Sequence, residues 1–183
     1  MQENNKFAIS DIHFSHVNIM KYDNRPFKDI QEHDEINIAN WNKVVEPNED
    51  VYYLGDFCFS AQKAIKIIER LNGNIHFIKG NHDFKALNNK DFRDRLVWVK
   101  DYYELKYKGQ MFCMFHFPIL EWNKCHGDAI HLHGHVHGNL IGKQKDYYQH
   151  KVFDMGVNLW DYTPVNLDTI INLAKNKKTM THH

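Results

Sequence analysis

The segment Ile130-His131-Leu132-His133-Gly134-His135-Val136-His137-Gly138 carries a histidine at every second position over seven residues. In an extended chain, positions i, i+2 and i+4 face one side. The run is therefore expected to aim its imidazoles at one point. Neutral imidazole is the commonest transition-metal ligand. The flanking glycines let the backbone turn and approach a neighbour closely. A solvated histidine run or a tag remnant would look alike in isolation. A tag sits at a terminus, however, and this run lies between apolar residues in the interior. A histidine cluster alone names neither metal nor reaction. It needs carboxylates, and a fold that brings them to it.

The preceding chain supplies both. Phe7-Ala8-Ile9 is a short apolar strand ending in Asp11-Ile12-His13, whose first and last residues are two apart. A lone Asp11 would read as a turn or cap residue; with His13 it reads as a ligand pair. Val51-Tyr52-Tyr53-Leu54 is a strand ending in Gly55-Asp56. Ile75-His76-Phe77-Ile78 is a strand running into Gly80-Asn81-His82-Asp83. Met111 to Phe115 is a strand ending in His116-Phe117-Pro118. Between them, Asp34 to Val45 and Ala61 to Leu71 have helical periodicity, and Asp91 to Leu96 reads as a short helix. Val97 to Val99 and Tyr102 to Tyr107 read as strands, the latter closing at Lys108-Gly109. Val152 to Val157 and Pro164 to Leu167 read as late strands, and Asp168 caps a terminal helix over 168–177. Strand, polar tip and helix recur, which is the order of an α/β protein. In open α/β sheets ligands bind beyond the carboxyl ends of strands.

The bulk numbers frame this. The chain has 183 residues, and one domain over 1–180 is expected, with enough length for a proper core. Hydrophobic residues make up 43%, a globular composition. Lys plus Arg and Asp plus Glu number 23 each, so no basic surface for extended nucleic acid is expected. No run approaches the ~18 apolar residues of a membrane span. Met1 leads into polar residues with no signal-like segment. Cys58, Cys113 and Cys125 are odd in number and lack metal spacing, so they read as reduced, buried thiols in a cytoplasmic protein. His182-His183 is either native or an added tail.

The strand tips gather Asp11, His13, Asp56, Asn81, His116, His135 and His137: four imidazoles, two carboxylates and one amide oxygen. One tetrahedral zinc would use four protein ligands at most. Seven suit two metal ions sharing a carboxylate, which sit ~3.5–4 Å apart in two-metal sites. Water between two such ions loses a proton readily, since one Zn²⁺ already brings its pKa to about 7. Two carboxylates and that hydroxide leave about one net positive charge, suited to a phosphate ester.

In order, Asp11-Ile12-His13, Gly55-Asp56, Gly80-Asn81-His82-Asp83, His116 and Gly134-His135-Val136-His137 resemble the five motifs of calcineurin-like metallophosphoesterases. The compact bacterial and phage members are the nearest in size. The resemblance implies a four-layer α/β/β/α sandwich, two mixed β-sheets flanked by helices. It implies that Asp11, His13, Asp56 and His137 hold a first ion, with Asp56 bridging. Asn81, His116 and His135 would hold the second. His82 would protonate the leaving oxygen and Asp83 would orient it, and a His beside an Asp in a metal cleft also fits general-acid duty by itself. The cofactors expected are two divalent transition-metal ions, Mn²⁺ first, with Fe, Ni, Co or Zn as alternatives.

Other residues are read more locally. Arg25, in the Asn24-Arg25-Pro26-Phe27 turn, is either a phosphate clamp or a surface arginine. His16 is a second substrate-binding candidate. His131 and His133 match no metal position and read as buried structural histidines. Asp154 and Asn158 could line the cleft, Trp122 and Trp160 could cover it or be core, and His76, His126 and His150 read as non-functional.

The function expected is metal-dependent phosphoester hydrolysis, with a small or nucleotide-like phosphodiester as substrate, a metal-bridging hydroxide and His82 as acid. A phosphomonoesterase or phosphoprotein phosphatase is the alternative enzyme. A non-catalytic metal-binding scaffold is the alternative of another class, against which the intact motif set speaks. A nuclease on long DNA would need added domains for which the chain has no room.

Overall fold

The computed structural model describes residues 4–181 of the chain; His182-His183 lies outside the described residues. Two mixed sheets face each other. The first holds β1 (Lys6–Ile9), β2 (Asp50–Tyr53), β3 (Asn74–Ile78), β4 (Trp98–Lys100) and β9 (Val165–Asn166) in the order β4-β3-β2-β1-β9, with only β9 antiparallel to its neighbour. The second holds β5 (Tyr102–Tyr107), β6 (Gln110–Phe115), β7 (Ile130–His133) and β8 (Val152–Asp154) in that order. There β5 and β6 form an antiparallel hairpin, and β6, β7 and β8 run parallel.

The period-two alternation of the strands sorts side chains into layers. Phe7, Ile9, Val51, Tyr53, Ile75 and Phe77 pack outward under α2 (Ile30–Val44) and α3 (Ala61–Ile68), with the fully buried Trp41 among them. Ala8, Tyr52, Leu54, Phe112, Met114, Ile130 and Leu132 fill the space between the sheets. Cys113, Trp122, Tyr148 and Val152 form a third cluster on the far face of the second sheet, beside α6 (Lys145–Tyr148). The result is the expected α/β/β/α sandwich. The three cysteines are buried and free. No helix among the described residues is long and apolar enough to cross a membrane.

Several boundaries differ from the sequence reading. The first long helix begins at Ile30, not Asp34, because Asp29 caps it through the backbone N–H groups of Gln31 and Glu32. The terminal helix α7 (Leu167–Ala174) is capped by Asn166, whose side chain accepts from Asp168 N–H, so Asp168 belongs to its first turn. The strand expected over Val152 to Val157 stops at Asp154. There the Asp154 carboxylate takes the Gly156 N–H, and a 3₁₀ turn follows over Val157–Leu159. The short helices α1 (Ile19–Tyr22), α4 (Phe84–Asn88) and α6 have too few residues to show a period, and α5 (Lys90–Arg93) is shorter than expected.

The two sheets are joined at one end. Ser10, just past β1, pairs with Gly156, just past β8: Ser10 N–H donates to Met155 O and Val157 N–H to Ser10 O. The carboxyl ends of β1, β2, β3, β6 and β7 therefore open toward the same place.

Candidate metal centre

The loops after β1 and β2 continue side by side. Asp11 N–H donates to Gly55 O and His13 N–H to Asp56 O, both at 3.0 Å. Gly55 has φ +95°, and a Cβ there would lie 2.6 Å from both Gly80 N and His116 Nδ1. Only glycine lets these loops meet. Gly134 has the same role opposite β1, where a Cβ would strike the Ser10 and Asp11 side chains.

What converges there is a set of metal-ligand atoms. Asp11, His13 and His137 form one group, and Asp56, His116 and His135 another. Within each group one ligand atom per residue lies within 4.8 Å of the others. Asn81 joins the second group, its Oδ1 being 3.0 Å from His116 Nε2. In the first group, His137 Nε2 is 3.3 Å from His13 Nε2 and 3.5 Å from Asp11 Oδ1. One atom belongs to both: Asp56 Oδ2 is 3.5 Å from His13 Nε2 and 3.6 Å from His116 Nε2. The other Asp56 oxygen accepts the His82 backbone N–H at 2.9 Å.

The histidine run does not do what alternation predicts. His131 and His133 lie in β7 and point into the buried cluster on the outer face of the second sheet. There His131 stacks on Trp122, and His133 Nε2 meets Tyr148 Oη at 3.1 Å. The strand ends at His133. His135 and His137 lie beyond it on left-handed backbone, φ 71° and 49°, and reach different groups. Asp11, His13 and Asp56 are left-handed too, with φ of 57°, 54° and 60°. Such residues carry strain of roughly 1–3 kcal/mol each, and they sit together here because the neighbouring contacts hold them.

Three buried groups supply those contacts, and all three revise the sequence reading. Arg25 is no phosphate clamp. It is 4% exposed. Its Nη1 donates to Ile12 O at 2.5 Å and faces His33 Nε2 at 2.7 Å, and Nη2 donates to Asp11 O at 2.7 Å. Nε and Nη2 both donate to Asp23 Oδ2. Every guanidinium nitrogen has a protein acceptor, and the left-handed loop is braced from below. Asp83 does not orient His82. Its Oδ2 accepts the N–H of Asp56 and Gly80 and its Oδ1 that of Phe57, at 2.7–2.8 Å, so it fixes the Gly55-Asp56 loop against β3. Burial pushes its carboxyl up to about 6. Asp154 accepts from Gly138 N–H and Gly156 N–H, and Asn158 donates to His137 O. Both hold the histidine loop and neither lines the cleft.

No sequence pattern marks Asp23. Its Oδ2 is 2.6 Å from His137 Nδ1, which leaves Nε2 of that ring for the first group. Leu54 O does the same for His116 Nδ1 at 2.7 Å. Such partners fix the tautomer and aim of a ligand histidine. Asp23 sits in the turn that carries Arg25, but nothing in its spacing sets it apart from an ordinary turn aspartate.

Burial pushes the Asp11 and Asp56 carboxyls above the ordinary range and the His13, His116 and His135 imidazoles below theirs. Burial also lowers His137, but the Asp23 hydrogen bond and the charges of Asp11 and Asp23 outweigh it, and the net shift is upward. A set of imidazoles and carboxylates without thiolate fits divalent Mn, Fe, Co, Ni or Zn.

The groups face a cleft of about 460 Å³. His82 is exposed on its wall, its ring edge-to-face with Phe59 at 4.6 Å. His16 also lines it, 4.3 Å from Phe59 between ring centroids. Trp122 is core, donating to Ala129 O, and Trp160 donates to Asp154 O. His76 pairs with Asp50 and stacks on Tyr52 within the fold.

The uncharacterized protein MJ1445 of Methanocaldococcus jannaschii is 35% identical over 178 residues, 95% of this chain and 93% of that protein. The chain belongs to the family of MJ1445. Gene 66 protein of Mycobacterium phage L5 is 23% identical over 93% of this chain and 94% of its own length. No protein-family model matches. Among solved structures, the protein of unknown function AQ665 from Aquifex aeolicus superposes with a TM-score of 0.74 at 25% identity, over 93% of this chain and all of that one. Fainter likenesses are to Pseudomonas putida nuclease MPE (TM-score 0.45, 19% identity, 72% of this chain and 61% of that one) and to Yfce, a phosphoesterase from E. coli (0.39, 17%, 83% and 78%). At those scores the function has to be argued from the site.

Proposed function

We propose that the protein is a dinuclear metal-dependent phosphoesterase of the calcineurin-like kind and that it acts on phosphodiesters. The observation that carries this reading is the position of Asp56 Oδ2, within 3.6 Å of an imidazole nitrogen from each donor group. Asp11, His13, Asp56 and His137 would hold one divalent ion, and Asp56, Asn81, His116 and His135 the other. Such ions polarise phosphoryl oxygens and make water acidic enough to attack at neutral pH. Asp23 and Leu54 O keep His137 and His116 aimed. Arg25, Asp83 and Asp154 keep the donor loops from relaxing. His82, exposed on the cleft wall, gives a proton to the departing oxygen.

The preference for a diester follows from charge. Among the described residues, no Lys or Arg lines the cleft. Arg25 is bound within the protein, and Lys79 is paired with Asp101 at 2.6 Å. A monoester dianion would gain from fixed cations that the cleft does not offer, whereas a diester carries a single charge.

The test is a hydrolysis panel of mono-, di- and cyclic phosphate esters on chelator-stripped protein reloaded with each metal. Up to two transition ions per chain are expected, with diesters preferred and Mn²⁺ among the activating ions. Full activity in metal-free protein would overturn the reading, and a preference for monoesters would overturn its diester part. Asp56→Asn should lower occupancy of both ions while His137→Ala empties mainly one; equal single-ion losses would remove the bridge.

A further inference from the structure

A second hollow, of about 450 Å³, reaches the second donor group through Asn81 and is lined by Phe84, Phe115 and Phe117. Asn81 and His82 are neighbours on one turn, yet His82 lines the first cleft and Asn81 the second hollow. Each side has its own aromatic wall. On the first, Phe59 packs edge-to-face against His82 and His16. On the second, Phe117 packs edge-to-face against His135 at 4.5 Å and His116 at 4.9 Å. Each also carries an exposed ring: Tyr22, 72% exposed, lines the first, and Phe84, 73% exposed, lines the second. A single exposed aromatic needs no explanation. Two of them do, one on the cleft lined by His13, Asp56, His135 and His137 and one on the hollow lined by Asn81.

We propose that the second hollow holds the non-leaving arm of the substrate and that this arm ends in a flat, uncharged ring of aryl or nucleobase type. The inference rests on the phosphodiesterase reading and adds its substrate class. Ring faces and edges pair with Phe84 and Phe117. Among the described residues lining this hollow the one cation, Lys79, is paired with Asp101 at 2.6 Å, which offsets its pull on a charged arm. In the reaction a water oxygen forms a new bond to phosphorus and the bond to the arm beside His82 breaks. The departing oxygen takes its proton from His82, and the arm beside Phe84 stays on phosphorus. The products are an alcohol or phenol and a phosphomonoester.

Bis(p-nitrophenyl) phosphate and methyl p-nitrophenyl phosphate share a leaving group and differ only in the retained arm. With Mn²⁺-loaded protein, the bis-aryl ester is expected to have the higher kcat/KM. Phe84→Ala should reduce the aryl-to-methyl ratio about ten-fold, the effect of one lost aromatic contact of ~1.4 kcal/mol. Tyr22→Ala, on the other hollow, should leave that ratio at the wild-type value. A ratio that does not move in Phe84→Ala, or moves equally in both variants, would overturn the subsite. Hydrolysis of neither ester by metal-loaded wild type would instead overturn the phosphodiesterase reading beneath it.

Discussion

Asp23 Oδ2 lies 2.6 Å from His137 Nδ1 and accepts two hydrogen bonds from Arg25, at 3.2 and 3.0 Å. One carboxylate oxygen thus links a donor histidine to the buried cation that braces the opposite donor loop. The Arg25 guanidinium in turn faces His33, whose Nδ1 is 2.9 Å from Asp34. Burial alone would raise the Asp23 carboxyl, but the hydrogen bond and charge of His137, with those of Arg25, hold it below its usual range.

Asp23→Asn keeps an oxygen near His137 and removes the charge. Loss of a partner of this kind typically costs 10–100-fold in metal affinity. The loss should fall on the ion proposed for Asp11, His13 and His137, and Mn²⁺ titration followed by electron paramagnetic resonance should show one weakened site and one intact. Equal weakening of both would mean that Asp23 acts on the fold and not on His137.

Arg25→Ala separates a brace from a clamp. A phosphate clamp would change kcat/KM and leave stability alone. The observed contacts predict the reverse order, because the change strands Asp23 and the carbonyls of Asp11 and Ile12 in a buried site. Removing one partner of a buried ion pair costs about 3–5 kcal/mol. Urea unfolding of the variant should show a loss of that order; a midpoint equal to wild type would contradict the brace.

His82→Ala should retain its metals, because the His82 ring makes no hydrogen bond among the described residues and its backbone N–H still reaches Asp56. Its activity should fall by about 10²–10⁴-fold on esters with alkyl or ribose leaving groups. Nitrophenyl esters should lose far less, since that leaving group departs as a stable anion. Asp83→Asn provides a contrast: it sets an amide against three backbone N–H donors, so it should destabilise the protein without altering leaving-group dependence. Equal losses of His82→Ala on good and poor leaving groups would remove the acid assignment.

His131 gives a pH prediction away from the metal site. It is fully buried, and burial brings its imidazole down to about 4. Unfolded, it would titrate near 6.5. Between those values the unfolded chain binds the proton and the folded chain does not, so stability falls as pH drops from 6.5 toward 4. From pH 7 to pH 5 the contribution is about 2 kcal/mol. His131→Gln can still donate to Cys113 O and accept from Ile119 N–H, but it has no such proton to bind. Denaturant unfolding at pH 5 and pH 7 should show a smaller pH difference in the variant by that amount; an unchanged difference would mean His131 is not held neutral.

The sequence by itself determined the layers and the ends of the strands. Period-two alternation in Phe7 to Ile9, Val51 to Leu54 and Ile75 to Ile78 fixes which side chains face which core, because strand neighbours must point to opposite sides. Polar tips after apolar strands put Asp11, His13, Asp56 and Asn81 at one end of the parallel strands β1 to β3, and His116 at the end of β6 in the second sheet. Tertiary structure alone decided what lies between those tips. The left-handed turns at Asp11, His13, Asp56, His135 and His137 break the alternation and split the histidine run into two buried and two converging rings. No local pattern encodes such turns, because residues distant in the chain hold them: Arg25 under Asp11, Asp83 across from Asp56, and Asp154 beside Gly138. Arg25 reads as a clamp or a surface arginine because sequence shows its charge but not its burial. The role of Asp23 is hidden in the sequence because its partner, His137, is 114 residues away.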